Sequence, residues 1–135
     1  IHSRLPSTHL VMHGSSSVPQ EWLAIINEFG GEIPETYGVP VEQIQEGIRH
    51  GVRKINIDTD LRLASTGAIR RFLAENPSEF DPRKYLAETI KGMKEICINR
   101  YDSFGTSGNA DKIKVRSLDV MQAAYAAGEL TPQVN

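Results

Sequence analysis

Residues His9-Leu10-Val11-Met12-His13-Gly14-Ser15-Ser16-Ser17 read as a short strand that runs into a Gly/Ser turn and then a helix. Leu10 and Met12 fall on one face of that strand and Val11 and His13 on the other, because successive strand side chains alternate. Set in a barrel wall, Val11 and His13 face the interior, with His13 at the upper rim. A second stretch, Lys54-Ile55-Asn56-Ile57-Asp58-Thr59-Asp60, has the same design: Ile55 and Ile57 share one face, and Lys54, Asn56 and Asp58 share the other. Polar side chains on an inner face suit a packed core badly. They suit the mouth of an α/β barrel, where ligands sit at the carboxyl ends of the strands.

Outward from these two strand ends the pattern is helical. Ser17-Val18-Pro19-Gln20 fits a capping box with Pro19 in the first turn, and Trp22, Ile25, Ile26 and Phe29 follow at helical spacing until Gly30-Gly31 stops them. A loop holding Pro34 and Gly38 leads to a second helix from Pro40, with Val41, Ile44 and Ile48 as its stripe and Gly51 at its end. Thr59 or Asp60 is the expected cap of a third helix, carried by Leu61, Ala64, Ala68, Ile69, Phe72 and Leu73 and broken at Asn76-Pro77. Asp81-Pro82 opens a long fourth helix whose expected apolar stripe is Leu86, Ile90, Met93, Cys97, Tyr101 and Phe104. A basic loop, Lys112 to Arg116, precedes a last helix capped by Ser117, with Leu118, Met121 and Tyr125 and an end at Gly128.

Two parallel strands with helical crossovers cannot make an independent sheet covered on both faces, and a complete eight-stranded barrel takes roughly 250 residues. The expected fold class is therefore α/β: the last strands and helices of a (β/α)8 TIM barrel over residues 1–80, with a helical C-terminal extension over 81–135. The first strand follows Ile1 almost at once, so the remaining strands are expected N-terminal to it. The chain has 135 residues, 39% hydrophobic and 24% charged, with a net charge of −2, an ordinary globular composition. Nothing in that charge argues for nucleic acid or an anionic membrane. Cys97 is the only cysteine, which excludes an intrachain disulfide and fits a reducing, cytoplasmic compartment. No apolar run approaches the roughly 20 residues of a membrane span, and the opening residues have no signal-peptide character.

Several residues carry chemistry. A neutral His13 imidazole suits a divalent metal such as Zn²⁺, although a hydrogen-bonded rim histidine is the simpler reading of one His with no second ligand at motif spacing. Gly14-Ser15-Ser16-Ser17 offers free N–H groups, hydroxyls and a helix N-terminus to an anion, or serves as a plain N-cap. Asp58-Thr59 repeats the arrangement, and loops after the last two barrel strands often form a phosphate site. Asp58 would accept from substrate hydroxyls or orient its loop; Asn56 would donate to an oxyanion or make a structural hydrogen bond. Met93, Cys97, Arg100 and Phe104 lie on one helical line. There a guanidinium is out of place if the line packs on its own barrel, and its fork suits phosphate.

Leu10-Val11-Met12-His13-Gly14-Ser15-Ser16-Ser17 and Asn56-Ile57-Asp58-Thr59-Asp60 resemble the two C-terminal signatures of class II, metal-dependent fructose-1,6-bisphosphate aldolase. Gly31-Glu32-Ile33-Pro34-Glu35-Thr36-Tyr37-Gly38-Val39-Pro40 and Tyr101-Asp102-Ser103-Phe104-Gly105-Thr106-Ser107-Gly108 resemble its longer, Calvin-cycle-type branch. Ser15 and Ser17 stand where the other branch has Gly. The resemblance implies a lyase that reversibly cleaves fructose 1,6-bisphosphate to dihydroxyacetone phosphate and glyceraldehyde 3-phosphate, in glycolysis, gluconeogenesis and the Calvin cycle. It implies a Zn²⁺ cofactor, allows another divalent metal in its place and a monovalent cation beside it, and implies a homodimer or homotetramer. His13 would be one of three histidine ligands of the metal. Gly14, Ser16, Asp58 and Thr59 would line the phosphate site, and Asn56 would be catalytic, near the carbonyl that becomes the enediolate. Arg100 would hold the far phosphate in a neighbouring subunit's site. The family's other two His ligands, its catalytic Asp and its mobile-loop Glu belong to the first half, so the N-terminal remainder of the barrel is an implied partner. A tagatose- or sedoheptulose-bisphosphate aldolase, or an inactive structural fragment, fits the same 135 residues.

Overall fold

In a computed structural model, described here for residues 1–131, the chain is α/β. Its elements are β1 (Leu10–Met12), α1 (Gln20–Glu28), α2 (Val41–Arg49), β2 (Val52–Ile55), α3 (Thr59–Glu75), α4 (Pro82–Ser103), a 3-10 turn (Ala110–Lys112) and α5 (Leu118–Ala126). The expected order of strands and helices is observed. β1 and β2 are parallel neighbours, with Leu10 opposite Val52, Val11 opposite Lys54 and Met12 opposite Ile55. Asn56 N–H continues the ladder to the Met12 carbonyl at 3.0 Å. The two strand ends therefore lie side by side, and the turns that follow them open on the same side of the sheet. Val11 of β1 is 50% exposed.

The core lies on the helical side. Trp22 of α1, Ala64 and Ala68 of α3 and Ile96 of α4 form one buried cluster, with Ile25, Leu61 and Leu63 packed against it. Small residues let the helices close on the indole. A Cβ on Gly67 would lie 2.7 Å from Trp22 Cε3, and one on Gly92 would lie 3.1 Å from Trp22 Cη2. The Arg71 guanidinium covers the same ring, 5.9 Å from its centroid, at cation–π range.

Four local expectations change. The Ser17 capping box does not form: α1 starts at Gln20 behind Pro19 with no side-chain cap, because both Ser17 N–H and Ser17 Oγ are held by Asp60. Neither Thr59 nor Asp60 caps α3. Asp58 is its N-cap residue, and Asp60 points inward and is fully buried. The apolar line expected on α4 is displaced. Thr89, Gly92 and Ile96 are the residues buried on that helix, whereas Ile90 is 67% exposed and Leu86 and Tyr101 are exposed. Helix-period counting weighs bulky side chains, but α4 meets α3 where small residues permit close approach. On α5 the buried position is Ala124, while Leu118 and Tyr125 are exposed. The Asp81 and Ser117 caps form as expected, accepting from Arg83 N–H and Val120 N–H.

Replacing Gly67 by Ala gains about 1 kcal/mol of helix propensity but overpacks a buried indole, which costs about 1–3 kcal/mol. Gly67→Ala is expected to lower the unfolding midpoint, and Gly92→Ala to lower it less. Equal or reversed effects in thermal denaturation would show that Trp22 is not the clamped element.

Candidate functional site

The turns after β1 and β2 enclose an open cleft of about 440 Å³, lined by Gly14, Ser16, Lys54, Ile55, Asn56, Ile57, Asp58 and Thr59. Five of the seven residues expected at the site, Gly14, Ser16, Asn56, Asp58 and Thr59, thus share one cavity. His13 adjoins it: Asn56 Nδ2 lies 2.8 Å from His13 Nδ1. The lining arises from local chain physics. Parallel strands end together, and each hands over to a loop whose next helix begins beside the other's turn.

Ser15 is buried, its Oγ 2.7 Å from the Met12 carbonyl and 3.2 Å from the Asn56 carbonyl, so it sews the two strand ends together. Ser16 Oγ accepts from Asp58 N–H at 3.3 Å and Thr59 N–H at 3.1 Å. A hydroxyl that accepts twice from the start of α3 has its own O–H left to donate. The Asp58 carboxylate pairs with Arg62 at 2.8 Å, both groups exposed. That pair spans the start of α3, from its N-cap residue to Arg62.

Two residues at the site went unassigned in the sequence. Lys54 lines the cleft, and its Nζ makes a short hydrogen bond to Asn56 Oδ1. Asp60, read as a cap, is instead a hub. Its Oδ1 accepts from Val18 N–H at 2.9 Å, and its Oδ2 accepts from Ser17 Oγ at 2.9 Å, Ser17 N–H at 3.2 Å and Arg100 Nη2 at 3.1 Å. The signal for it is spacing: Asp60 shares a helical line with the buried Ala64, Gly67 and Ala68, and a carboxylate on a buried line requires a partner.

That partner is Arg100, the residue the resemblance assigns to a neighbouring subunit's phosphate. Its side chain is 11% exposed and turned into its own chain, with Nη2 on Ser17 Oγ and Asp60 and Nη1 on Asn99. The guanidinium is not out of place on the helix; it answers the Asp60 charge. Arg100 does not line the cleft.

The metal expected from the resemblance finds one donor. Among the described residues, no three His, Cys, Asp or Glu side chains converge as a metal site, and none hydrogen-bonds His13 Nε2. The Asn56 amide holds the His13 ring at the cleft edge through Nδ1.

The sequence model of the class-II fructose-bisphosphate aldolase family matches residues 1–109, and the chain belongs to that family. It is 74% identical over all 135 residues to fructose-bisphosphate aldolase of Pseudomonas aeruginosa, of which it covers 38%. It is 65% identical over 131 residues to fructose-bisphosphate aldolase class 2 of a Synechocystis strain, covering 36% of that protein. It is 62% identical over 135 residues to fructose-bisphosphate aldolase of Xanthobacter flavus, covering 38%. The chain thus spans little more than a third of the length of these relatives and corresponds to their C-terminal part.

The turn also leans on the loop before α2. Val39 N–H donates to the Ser16 carbonyl at 3.0 Å, and a Cβ on Gly38 would lie 2.1 Å from that same oxygen. Only glycine allows this approach. Gly38→Ala is expected to displace the Ser16–Ser17 backbone and cost about 1–3 kcal/mol. Hydrogen exchange at the Ser17 and Val18 amides should accelerate; unchanged exchange would show that the turn does not depend on Gly38.

Proposed function

We propose that this chain supplies the last part of a (β/α)8 barrel and, with it, the phosphate-binding and metal-facing edge of a zinc-dependent fructose-bisphosphate aldolase. One observation carries the reading: Gly14, Ser16, Asn56, Asp58 and Thr59 line a single cleft with His13 one hydrogen bond away. The family membership supports the reaction class. A division at residue 80 between barrel and extension belongs to the same proposal. So do the oligomeric assembly and the cytoplasmic setting; no described helix is long and apolar enough to cross a membrane.

In this reading the Ser16 O–H and the Thr59 side chain donate to the phosphate of the three-carbon ketone half of the substrate, at the N-terminus of α3, where the helix dipole favours an anion. The Lys54 ammonium adds positive charge at the same wall. When the carbon–carbon bond of the bisphosphate breaks, the ketone oxygen gains charge, and the Asn56 amide is placed to donate to it. His13 would hold the metal, which supplies Lewis-acid polarisation of that carbonyl when bound. The base that removes the hydroxyl proton comes from residues beyond this chain.

The test is cleavage of fructose 1,6-bisphosphate by a full-length enzyme carrying these 135 residues. Ser16→Ala and Thr59→Ala should each weaken transition-state binding by about 1–3 kcal/mol, as for hydrogen bonds to a charged group. A double-mutant cycle should show them coupled. Strictly additive effects, or unchanged KM and kcat, would reduce both residues to elements of the turn.

A further inference from the structure

We infer that the Asp60–Arg100 pair is the positioning device of the phosphate cleft: it holds the Ser16–Val18 turn in a conformation the turn would not otherwise keep. The inference rests on the reading of the cleft as a phosphate site. Three observations carry it. Val18 is a β-branched residue at φ +54°, the one non-glycine residue of the described chain in the left-handed region. Such a conformation is costly for that side-chain type and persists only where its surroundings dictate it. What dictates it is the Asp60 carboxylate, which takes the consecutive N–H groups of Ser17 and Val18 and the Ser17 hydroxyl. Asp60 is fully buried, and its counter-charge is Arg100 of α4, reaching across to Asp60 Oδ2 and Ser17 Oγ. A buried carboxylate without its cation would swing toward water, releasing both amides.

The consequence reaches the cleft through one peptide. Ser16 precedes Ser17, and its Oγ is the atom that bridges to Asp58 N–H and Thr59 N–H. With Ser17 and Val18 held from behind by Asp60, the Ser16 hydroxyl is fixed over the start of α3 and its O–H is free for a ligand. Arg100 thus acts on the substrate phosphate through Asp60 and the turn, inside its own chain, rather than by touching a phosphate in another subunit.

The experiment uses a full-length aldolase carrying this chain, with inorganic phosphate as the probe in calorimetric titration and the unfolding midpoint recorded on the same samples. Arg100→Met and Asp60→Asn should each weaken phosphate binding about tenfold, the size of one charge-assisted hydrogen bond. The double variant should bind no more weakly than the weaker single, because the two residues act through one contact. Arg100→Lys should recover part of the loss. Should Arg100→Met fail to fold, Ser17→Ala and Arg100→Lys carry the test, each expected to weaken binding severalfold. A lowered midpoint with unchanged phosphate binding overturns the inference, since a purely structural pair would behave that way. If Ser16→Ala weakens phosphate binding but the Arg100 and Asp60 variants do not, this inference alone falls; if Ser16→Ala has no effect either, the phosphate reading falls with it. Mixed oligomers of His13→Ala and Arg100→Met chains should gain no activity over the separate variants, and a gain would assign Arg100 to the neighbouring subunit's site.

Discussion

A single carboxylate, that of Asp60, binds the parts of this structure together. It accepts from two backbone amides and a hydroxyl of the turn after β1, it sits in the first turn of α3, and it takes its counter-charge from α4. Removing a fully buried acceptor of four hydrogen bonds would leave two amides and a guanidinium unsatisfied, each costing about 1–3 kcal/mol or more. The Trp22 cluster packs α1, α3 and α4 against one another, but packing of that kind tolerates sliding. The hydrogen bonds to Asp60 fix register, and so fix the turn relative to the helix start it faces.

From that constraint the cleft follows. Ser15 closes the strand ends, Ser16 bridges to α3, and Ser17 turns away to Asp60. Three consecutive serines thus hold three different partners, which a plain Gly/Ser turn would not require. The cleft side of the turn carries the Ser16 hydroxyl opposite the lysine of β2, while the far side is occupied by contacts with Asp60 and Arg100. The same division explains why Arg100, the cation best suited in shape to a phosphate, stands behind the turn rather than in the cleft.

Much of this was legible in the sequence. Strand ends followed by Gly14-Ser15-Ser16-Ser17 and by Asp58-Thr59-Asp60 pointed to polar residues gathered at one place, and Gly14, Ser16, Asp58 and Thr59 do line one cleft together with Lys54 and Asn56. The helices were legible because their stops and caps, such as Gly30-Gly31 and Asp81-Pro82, are local events. Tertiary partners were not. Ser17 and Asp60 both have the composition of helix caps, and local rules give each a local job; their actual bonds run to each other across more than forty residues. The α4 face was misjudged because Thr89 and Gly92 carry little hydrophobic weight, yet close approach to α3 and the Trp22 ring demands small residues there. The pairing of Arg100 with Asp60 is likewise supplied only by the fold.

The account is tested most directly by a crystal structure of the full-length enzyme soaked with inorganic phosphate. It predicts the anion in the cleft, within hydrogen-bond distance of Ser16 Oγ and the Thr59 side chain, with the Ser17 and Val18 amides still on Asp60 and Arg100 still paired behind them. A phosphate bound instead at Arg100, with the Asp60 pair broken and the Ser16 turn displaced, would contradict it.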